Sequence, residues 1–349
     1  MNPGKNKGKD IIKRIVGILI IPVLCYVLME IACRINNTSV FSGGYSTVQI
    51  FLRGLTFVLL LSLGVSINMH TGRFDFSTGA VMLISGVIGA KLAYNLGLGP
   101  VGMMVISGIS GLAIGCIIGI LYVISKLPPM IIGLGMALIL EGFVAIISDG
   151  LKPVKFGSDA SYFQFATNPL ALAVIMVIAL TIMIILFHYT KFGNDYRALQ
   201  SGQKIAVNTG INEKLNAVVC YTVAGFLFGL AGALQICGTN GVTPKINFTT
   251  IASMFACFLP LFFSGLISKY LNKQLAILLA CISYEFMQVG FGNIMFNNAA
   301  FSIEVKSLVE SIILVLFLIY INNETKIVEV VMLKKWREKL KNKNELENA

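Results

Sequence analysis

The chain has 349 residues, of which 56% are hydrophobic and only 12% are charged. A soluble domain carries roughly 25% charged residues, so this balance excludes an ordinary soluble protein and indicates a membrane protein. The net charge of +11 raises the alternative of nucleic acid binding, but the basic residues are distributed as expected for orienting a protein in a membrane, so we expect no nucleic acid partner. The seven cysteines stand singly, without a C-x-x-C pair, and we interpret them as packing residues, with no metal site.

Repeated apolar runs of about 20 residues, each long enough to cross roughly 30 Å of hydrocarbon, predict an all-α polytopic membrane bundle. We expect a cytosolic basic segment at 1–14, a transmembrane domain at 15–322 and a cytosolic basic tail at 323–349. The first apolar run is too long for a signal peptide and lacks a small-residue cleavage site, so it is interpreted as a membrane anchor. The ten predicted spans are 15–33, 48–69, 76–94, 100–124, 128–148, 169–188, 217–237, 251–268, 274–296 and 306–322.

The distribution of lysine and arginine predicts the orientation of these spans. If the N terminus is inside, the inner segments hold 20 of the 27 Lys and Arg residues, and the outer segments hold four. Such a bias indicates that both termini are cytosolic, in the cell membrane, and that the basic charge faces anionic lipid of the inner leaflet. The four outer residues are Arg34, Lys152, Lys155 and Lys245.

Small residues recur every fourth position in two spans. One row begins at Ser107 and the other at Gly225. This spacing lets helix backbones approach closely, and it favours packing within the bundle over a seam between two copies. The rows consist of Ser107, Gly111, Gly115 and Gly119, and of Gly225, Gly229 and Ala233.

The two halves of the chain contain related stretches, "TGRFDFSTGAVML" from Thr71 and "TPKINFTTIASMF" from Thr243, at an offset of 172 residues. The predicted topology gives the two stretches opposite directions across the membrane. Spans 2 to 5 and 7 to 10 would therefore be inverted repeats, which is an arrangement typical of transporters.

Both stretches combine a Gly or Pro break with a short polar residue and two hydroxyls that open an apolar helix. Asp75 and Asn247 are each expected to accept amide hydrogen bonds at these helix starts. Their polar groups suit a polyol or a nucleoside, although ordinary capped helices in loops would give the same pattern. The candidate pathway residues are Asp75, Ser77, Thr78, Asn247, Thr249, Thr250 and Glu285.

Two acidic residues fall inside predicted spans, Glu141 in span 5 and Glu285 in span 9. Ionisable residues at membrane depth are candidates for substrate or proton handling. Each can instead be protonated or paired with a neighbour such as Gln288. These acids support an alternative, a proton-coupled secondary transporter.

A polar run, Thr190 to Asn212, separates spans 6 and 7 on the predicted cytosolic side. Ser201 is expected to cap a short helix that Gly210 ends, with Ile205 and Ala206 on an apolar face. Such a helix can lie on the membrane surface or serve as a docking element for a cytosolic partner.

Three stretches, in order, resemble permeases of ATP-binding-cassette importers of the ribose and simple-sugar type. "TKFGNDYRALQSGQKIAVNTGINEKL" resembles the cytosolic coupling segment of that family, "TGRFDFSTGAV" resembles its T-G-G-I-D-L-S-x-G, and "LPPMIIGLGMALILEG" resembles its P-x-F-I-x-T-L-G-M. The resemblance covers about residues 48 to 320. The coupling segment matches the family pattern from Thr190 onward, and the residues that the resemblance assigns to ATPase coupling are Gly193, Ala198, Gly202, Ala206, Gly210 and Ile211.

The resemblance implies a permease subunit, not an enzyme, that carries a simple sugar such as ribose, or a nucleoside or another solute. It implies three protein partners: a second, identical permease, an extracytoplasmic binding protein and a cytosolic ATPase. The chain contains no G-x-x-x-x-G-K-[ST] loop, so ATP would be hydrolysed by the partner and no cofactor is expected in this chain. A membrane scaffold that recruits partners through Lys334 to Lys343 is a third alternative.

The chain departs from the family pattern at three places. The Gly-rich segment after span 8 is reduced to "FFSGLISKYLNK", the usual basic residue before Gly142 is Glu141, and the acidic residue expected near Asn247 is absent. These changes lie along or beside the expected pathway, so they bear on which solute is carried.

Overall fold

The computed structural model describes residues 3–155, 159–244, 246–297, 305–316 and 319, with backbone alone for 3–13 and 297. Two compact units divide the chain, Met1–Asn297 and Asn298–Ala349. The elements of the first unit are α1 Pro3–Ile35, α2 Tyr45–Met69, α3 Thr78–Leu96, α4 Gly99–Ser125, α5 Pro129–Ile147, β1 Val154–Lys155, α6 Ser161–Thr167, α7 Pro169–Ile184, a π turn Ile185–Tyr189, α8 Lys191–Ser201, α9 Gln203–Asn208, α10 Glu213–Gly238, β2 Gly241–Val242, a 3-10 turn Thr249–Ile251, α11 Ala252–Phe255, α12 Phe258–Ile267 and α13 Lys273–Asn297.

The predicted all-α membrane architecture is confirmed. Among the described residues, nine helical segments are long and apolar enough to cross a membrane, and each coincides with one of the first nine predicted spans. The described residues of the tenth predicted span, 306–316 and 319, are helical; residues 317, 318 and 320–322 of that span and the predicted tail at 323–349 lie outside the described residues.

Local sequence explains where several helices begin. Prolines at the first or second position open α4, α5 and α7, where a missing amide proton costs nothing because those amides have no partner within the helix. Asn168 caps α7 by accepting a hydrogen bond from the amide of Leu170 at 3.0 Å. Local sequence is therefore enough to determine where these helices begin.

The two rows of small residues face each other across α4 and α10. A Cβ placed on Gly111 or Gly115 would collide with the backbone of α10 at Gly225 and Tyr221, and a Cβ on Gly229 would collide with the carbonyl of Ser107. The helices can approach this closely only because those side chains are absent. The prediction that the rows serve packing within the bundle is thus confirmed.

A short antiparallel pairing, β1 with β2, joins the loop that follows α5 to the loop that follows α10, with Val154 opposite Val242. The loop after α10 leads directly into the second of the two repeated stretches. The pairing therefore anchors the segment that precedes the second broken helix.

Candidate functional site

The first helix start is closed by Asp75. One carboxylate oxygen accepts the amide hydrogen of Ser77 at 2.9 Å and the other accepts its hydroxyl hydrogen at 2.8 Å. Asp75 is 6% exposed, and burial raises its pKa above the ordinary value, against the opposing effect of the hydrogen bonds from Ser77. The expected amide hydrogen bond to Asp75 is therefore seen, but it comes from Ser77, the N-cap residue of α3, and no side-chain hydrogen bond caps α3 itself.

The second helix start is closed by a residue from another helix. Asn247 and Phe248 have positive φ values of 70° and 63°, and a 3-10 turn follows. The carboxylate of Glu141, on α5, accepts the amide hydrogen of Phe248 at 2.9 Å, the amide hydrogen of Thr250 at 3.0 Å and the hydroxyl hydrogen of Thr250 at 2.6 Å.

The expectation that Asn247 caps this start is wrong. Its left-handed backbone turns the chain, its side chain is exposed, and the amides it was expected to bind are taken by Glu141. Glu141 is 1% exposed, so its carboxyl group is buried where it accepts these three hydrogen bonds.

The two helix starts lie against each other. A Cβ on Gly79, in the first turn of α3, would collide with the backbone carbonyl of Thr250. Helix α5 contacts both starts, because Gly133 packs against Asp75 and Glu141 binds the second start. Eight residues separate these two positions, so the two contacts lie about 12 Å apart along the axis of α5.

The candidate pathway residues divide into three groups. Four are buried at the paired starts: Asp75, Ser77, Thr78 and Thr250. Asn247 and Thr249 are exposed beside them. Glu285 is not brought to this place, since its carboxylate lies against Gly54 of α2.

Sequence reasoning singled out Glu141 as a buried acid but missed its role as a cap. A comparison of the two repeated stretches could have indicated this role. At the offset of 172 residues, Asp75 corresponds to Asn247, so the second copy lacks a carboxylate that the first copy uses. A buried acid elsewhere in the bundle was the available substitute.

The polar run from Thr190 to Asn212 forms two helices at one end of the bundle. Thr190 caps α8 by accepting the amide hydrogen of Gly193 at 3.2 Å. A Cβ on Gly193 would collide with the carbonyl of Phe187, which explains the glycine at this position. The π turn that precedes Thr190 ends the transmembrane helix.

The expected cap at Ser201 is wrong, because Ser201 is the last residue of α8 and its hydroxyl donates to the carbonyl of Arg197 at 3.0 Å. Gly202 separates α8 from α9 instead. Gly210, with φ of 91°, follows the end of α9 as expected.

The residues expected to serve ATPase coupling differ in exposure. Gly193 and Ala206 are buried, Ala198, Gly202 and Ile211 are half-buried, and Gly210 is exposed. The apolar side chains that α9 presents outward are Ile205, 73% exposed, and Val207, 42% exposed. The buried small residues therefore hold α8 and α9 onto the bundle, while Ile205 and Val207 form the outer surface.

A multi-span helical bundle with two broken helix starts packed against each other is typical of membrane transporters. Residues 46–319 match the family described as the permease component of the branched-chain amino acid transport system. The chain belongs to this family and is a multi-pass membrane protein.

Similar proteins include a D-allose transport system permease protein of Escherichia coli, 30% identical over 56% of this chain and 60% of that protein. A ribose import permease protein of Bacillus subtilis is 29% identical over 53% of this chain and 58% of its own length. A fructose import permease protein of Rhizobium meliloti is 25% identical over 68% of both chains. The chain thus spans about three fifths of the first two relatives. None of the solved structures matches it at a significant level.

Proposed function

We propose that the chain is the permease subunit of an ATP-binding-cassette importer and that it carries a simple sugar across the cell membrane. The observation that carries this proposal is the pairing of two capped helix starts inside a membrane bundle of this family. Inverted broken helices are the places where transporters offer backbone and side-chain groups to a polar solute.

The chemistry of the paired starts suits a sugar. Exposed Asn247 and Thr249 offer an amide and a hydroxyl, each able to donate and accept hydrogen bonds. Thr250, next to Thr249 in the chain, is already hydrogen-bonded to Glu141, and Asp75 at the first start is hydrogen-bonded to Ser77. Several weak, exchangeable hydrogen bonds would let a polyhydroxylated solute enter and leave again. The D-allose, ribose and fructose permeases among the relatives support this class of solute.

The proposed partners follow from the two ends of the bundle. A cytosolic ATPase would dock at α8 and α9, where Ile205 and Val207 are exposed. An extracytoplasmic binding protein would deliver solute at the opposite end, near the loop between α5 and α7, and a second copy of the permease would complete the pathway. This orientation places both termini in the cytosol, as the lysine and arginine distribution indicates.

Gentle affinity purification from the native membrane tests this assembly. We expect an ATPase with a phosphate-binding loop and a solute-binding protein to co-purify, and the sugar retained by the binding protein to be identifiable by mass. Recovery of the permease alone, as a stable species, would contradict the proposal.

A proton-coupled secondary transporter is the alternative that the buried acids support. The structure gives it less support, because Glu141 is engaged by three donors at the second helix start and Glu285 lies apart, against α2. A relay between these two acids would have to cross from α5 to α13.

A further inference from the structure

Arg73 is a buried cation between the first helix start and the end of the bundle that carries α8 and α9. It is 4% exposed. Its guanidinium lies 3.7 Å from the carboxylate of Glu213, donates to the hydroxyl of Thr71 at 3.2 Å, and lies over the ring of Tyr122 at 5.9 Å. A buried guanidinium is costly unless it is paired, so the position of Arg73 depends on Glu213.

Glu213 joins Arg73 to α9. It is the first residue of α10, and its carboxylate also accepts a hydrogen bond from the side-chain amide of Gln203, the first residue of α9. At 28% exposure, Glu213 keeps contact with water. A movement of α9 would therefore pull on the same carboxylate that holds Arg73.

Arg73 in turn adjoins the first helix start, because Asp75 is two residues further along the chain. The amide of Arg73 donates to the carbonyl of Asn68 at 3.0 Å, which ties this stretch to the end of α2. Helix α8 contacts the same place, since the hydroxyl of Tyr196 donates to the carbonyl of Ile67 at 2.9 Å. Both cytosolic helices are thus attached to the chain between 67 and 73.

The Arg73–Glu213 contact has the geometry of a link that can open. At 3.7 Å it lies near the upper limit for an ion pair, and Glu213 has an alternative partner in Gln203. Because Glu213 is 28% exposed, water can solvate its carboxylate when the contact opens, while Arg73 keeps its contacts with Thr71 and Tyr122. Opening the contact would therefore shift Arg73 while these contacts hold it in the bundle.

We propose that Arg73 and Glu213 are positioning residues that transmit movement of α9 to the helix start at Asp75. This inference rests on the proposed function, in which an ATPase moves α8 and α9. The link biases two arrangements of the bundle, and each arrangement sets how open the paired helix starts are.

The test uses the permease assembled with its ATPase in lipid nanodiscs and a reporter cysteine, Ile246→Cys. Ile246 is 37% exposed and lies just before the second helix start, whereas six native cysteines are buried and Cys116 is half-buried. The rate of maleimide labelling is measured without nucleotide and with ATP and vanadate, and ATP hydrolysis is measured in parallel.

Glu213→Gln removes the charge and keeps the shape. We expect the nucleotide-dependent ratio of labelling rates to fall by about threefold to tenfold, while ATP hydrolysis persists. Gln203→Ala, an exposed change that leaves Arg73 untouched, should lower the ratio in the same direction. Arg73→Gln, which removes the charge, should also lower this labelling ratio. Arg73→Lys, which keeps the charge, should lower it less.

Asp149→Asn is the matched control, because it removes an ion pair with Lys91 at 2.9 Å near the other end of α5. Its labelling ratio should equal that of the wild type. An unchanged ratio in Glu213→Gln and Gln203→Ala, or an equal fall in Asp149→Asn, would overturn the link. Sugar uptake does not enter this readout, so failure of the proposed solute would be seen separately.

Discussion

The two broken helix starts differ in which residue accepts hydrogen bonds from their amide groups. At the first, Asp75 accepts hydrogen bonds from Ser77, two residues away on the same segment. At the second, the acceptor is Glu141, which lies 107 and 109 residues from the donors and belongs to another helix. The first start is therefore a local structure, and the second exists only when α5 is packed against it.

This difference assigns distinct roles to the two copies of the repeat. A local cap can move with its own helix, whereas a cap supplied by α5 fixes the second start to the bundle. Gly79 lets the first start pack against the backbone of Thr250. Any movement of α3 would therefore change its contact with the second start, which Glu141 holds in place.

Removal of the cross-helix cap should have the largest effect. Glu141→Ala leaves two backbone amides and the hydroxyl of Thr250 without their acceptor. Each buried donor without a partner costs about 1–3 kcal/mol, so the free energy of unfolding should fall by about 3 kcal/mol or more. Denaturant unfolding of the purified permease measures this change.

Glu141→Gln is the control for that prediction, because its side-chain carbonyl still accepts hydrogen bonds while the charge is lost. We expect a smaller fall than for Glu141→Ala. Equal effects of Glu141→Ala and Asp75→Ala would contradict the difference between the two starts.

Forcing the two starts apart should have the next largest effect. Gly79→Ala introduces a methyl group against the carbonyl of Thr250, and overpacking of this kind costs about 1–3 kcal/mol. Uptake should fall together with thermal stability. Gly142→Ala is the matched control on α5, where a methyl group meets nothing within 4 Å, and its stability should stay equal or rise.

Removal of the local cap should cost less. Asp75→Ala leaves the buried amide and hydroxyl of Ser77 without their acceptor, so the free energy of unfolding should fall by about 2 kcal/mol, less than for the three donors of Glu141. Asp75→Asn still accepts the amide hydrogen of Ser77 and should be tolerated. Thermal unfolding of both variants beside the wild type checks this ranking.

The burial of Asp75 also predicts how the stability of the permease depends on pH. Since burial raises the pKa of Asp75 in the folded chain above its ordinary value of 3.8, the folded state binds this proton more tightly than the unfolded state. The contribution of Asp75 to stability should therefore fall as pH rises from about 3.8 through the folded-state pKa. Asp75→Asn should flatten this part of the profile, and an unchanged slope would contradict the assignment.

The smallest effect on stability is expected at the exposed polar residue of the second start. Thr249→Val should change the free energy of unfolding by less than about 0.5 kcal/mol. If Thr249 contacts the solute, the KM for sugar uptake should rise while the folded permease remains intact. An unchanged KM would remove Thr249 from the pathway.

The fold was largely predictable because membrane spans have a strong signal in length and apolarity. The rows from Ser107 and Gly225 also predicted that these helix faces pack within the bundle, since close approach demands small residues, although the sequence did not predict that the two rows face each other. The break at Gly202 was missed because Ser201 is a common capping residue, and local preference does not reveal that its hydroxyl binds Arg197 within α8.

The candidate site was only half predictable from sequence. The cap at Asp75 follows from its neighbours and needs no tertiary information. The cap at Glu141 depends on how α5 packs against residues more than a hundred positions away, which no local pattern encodes. Asn247 was a plausible cap by type, but its left-handed backbone turns the chain instead.

Uptake of labelled D-allose, D-ribose and D-fructose into liposomes that contain the permease, its ATPase and its binding protein tests the central claim most directly. ATP is supplied throughout, and the proton gradient is collapsed with an ionophore. The account predicts that uptake of one of these sugars requires ATP and continues after the collapse. Uptake that stops with the proton gradient while ATP is maintained would contradict it.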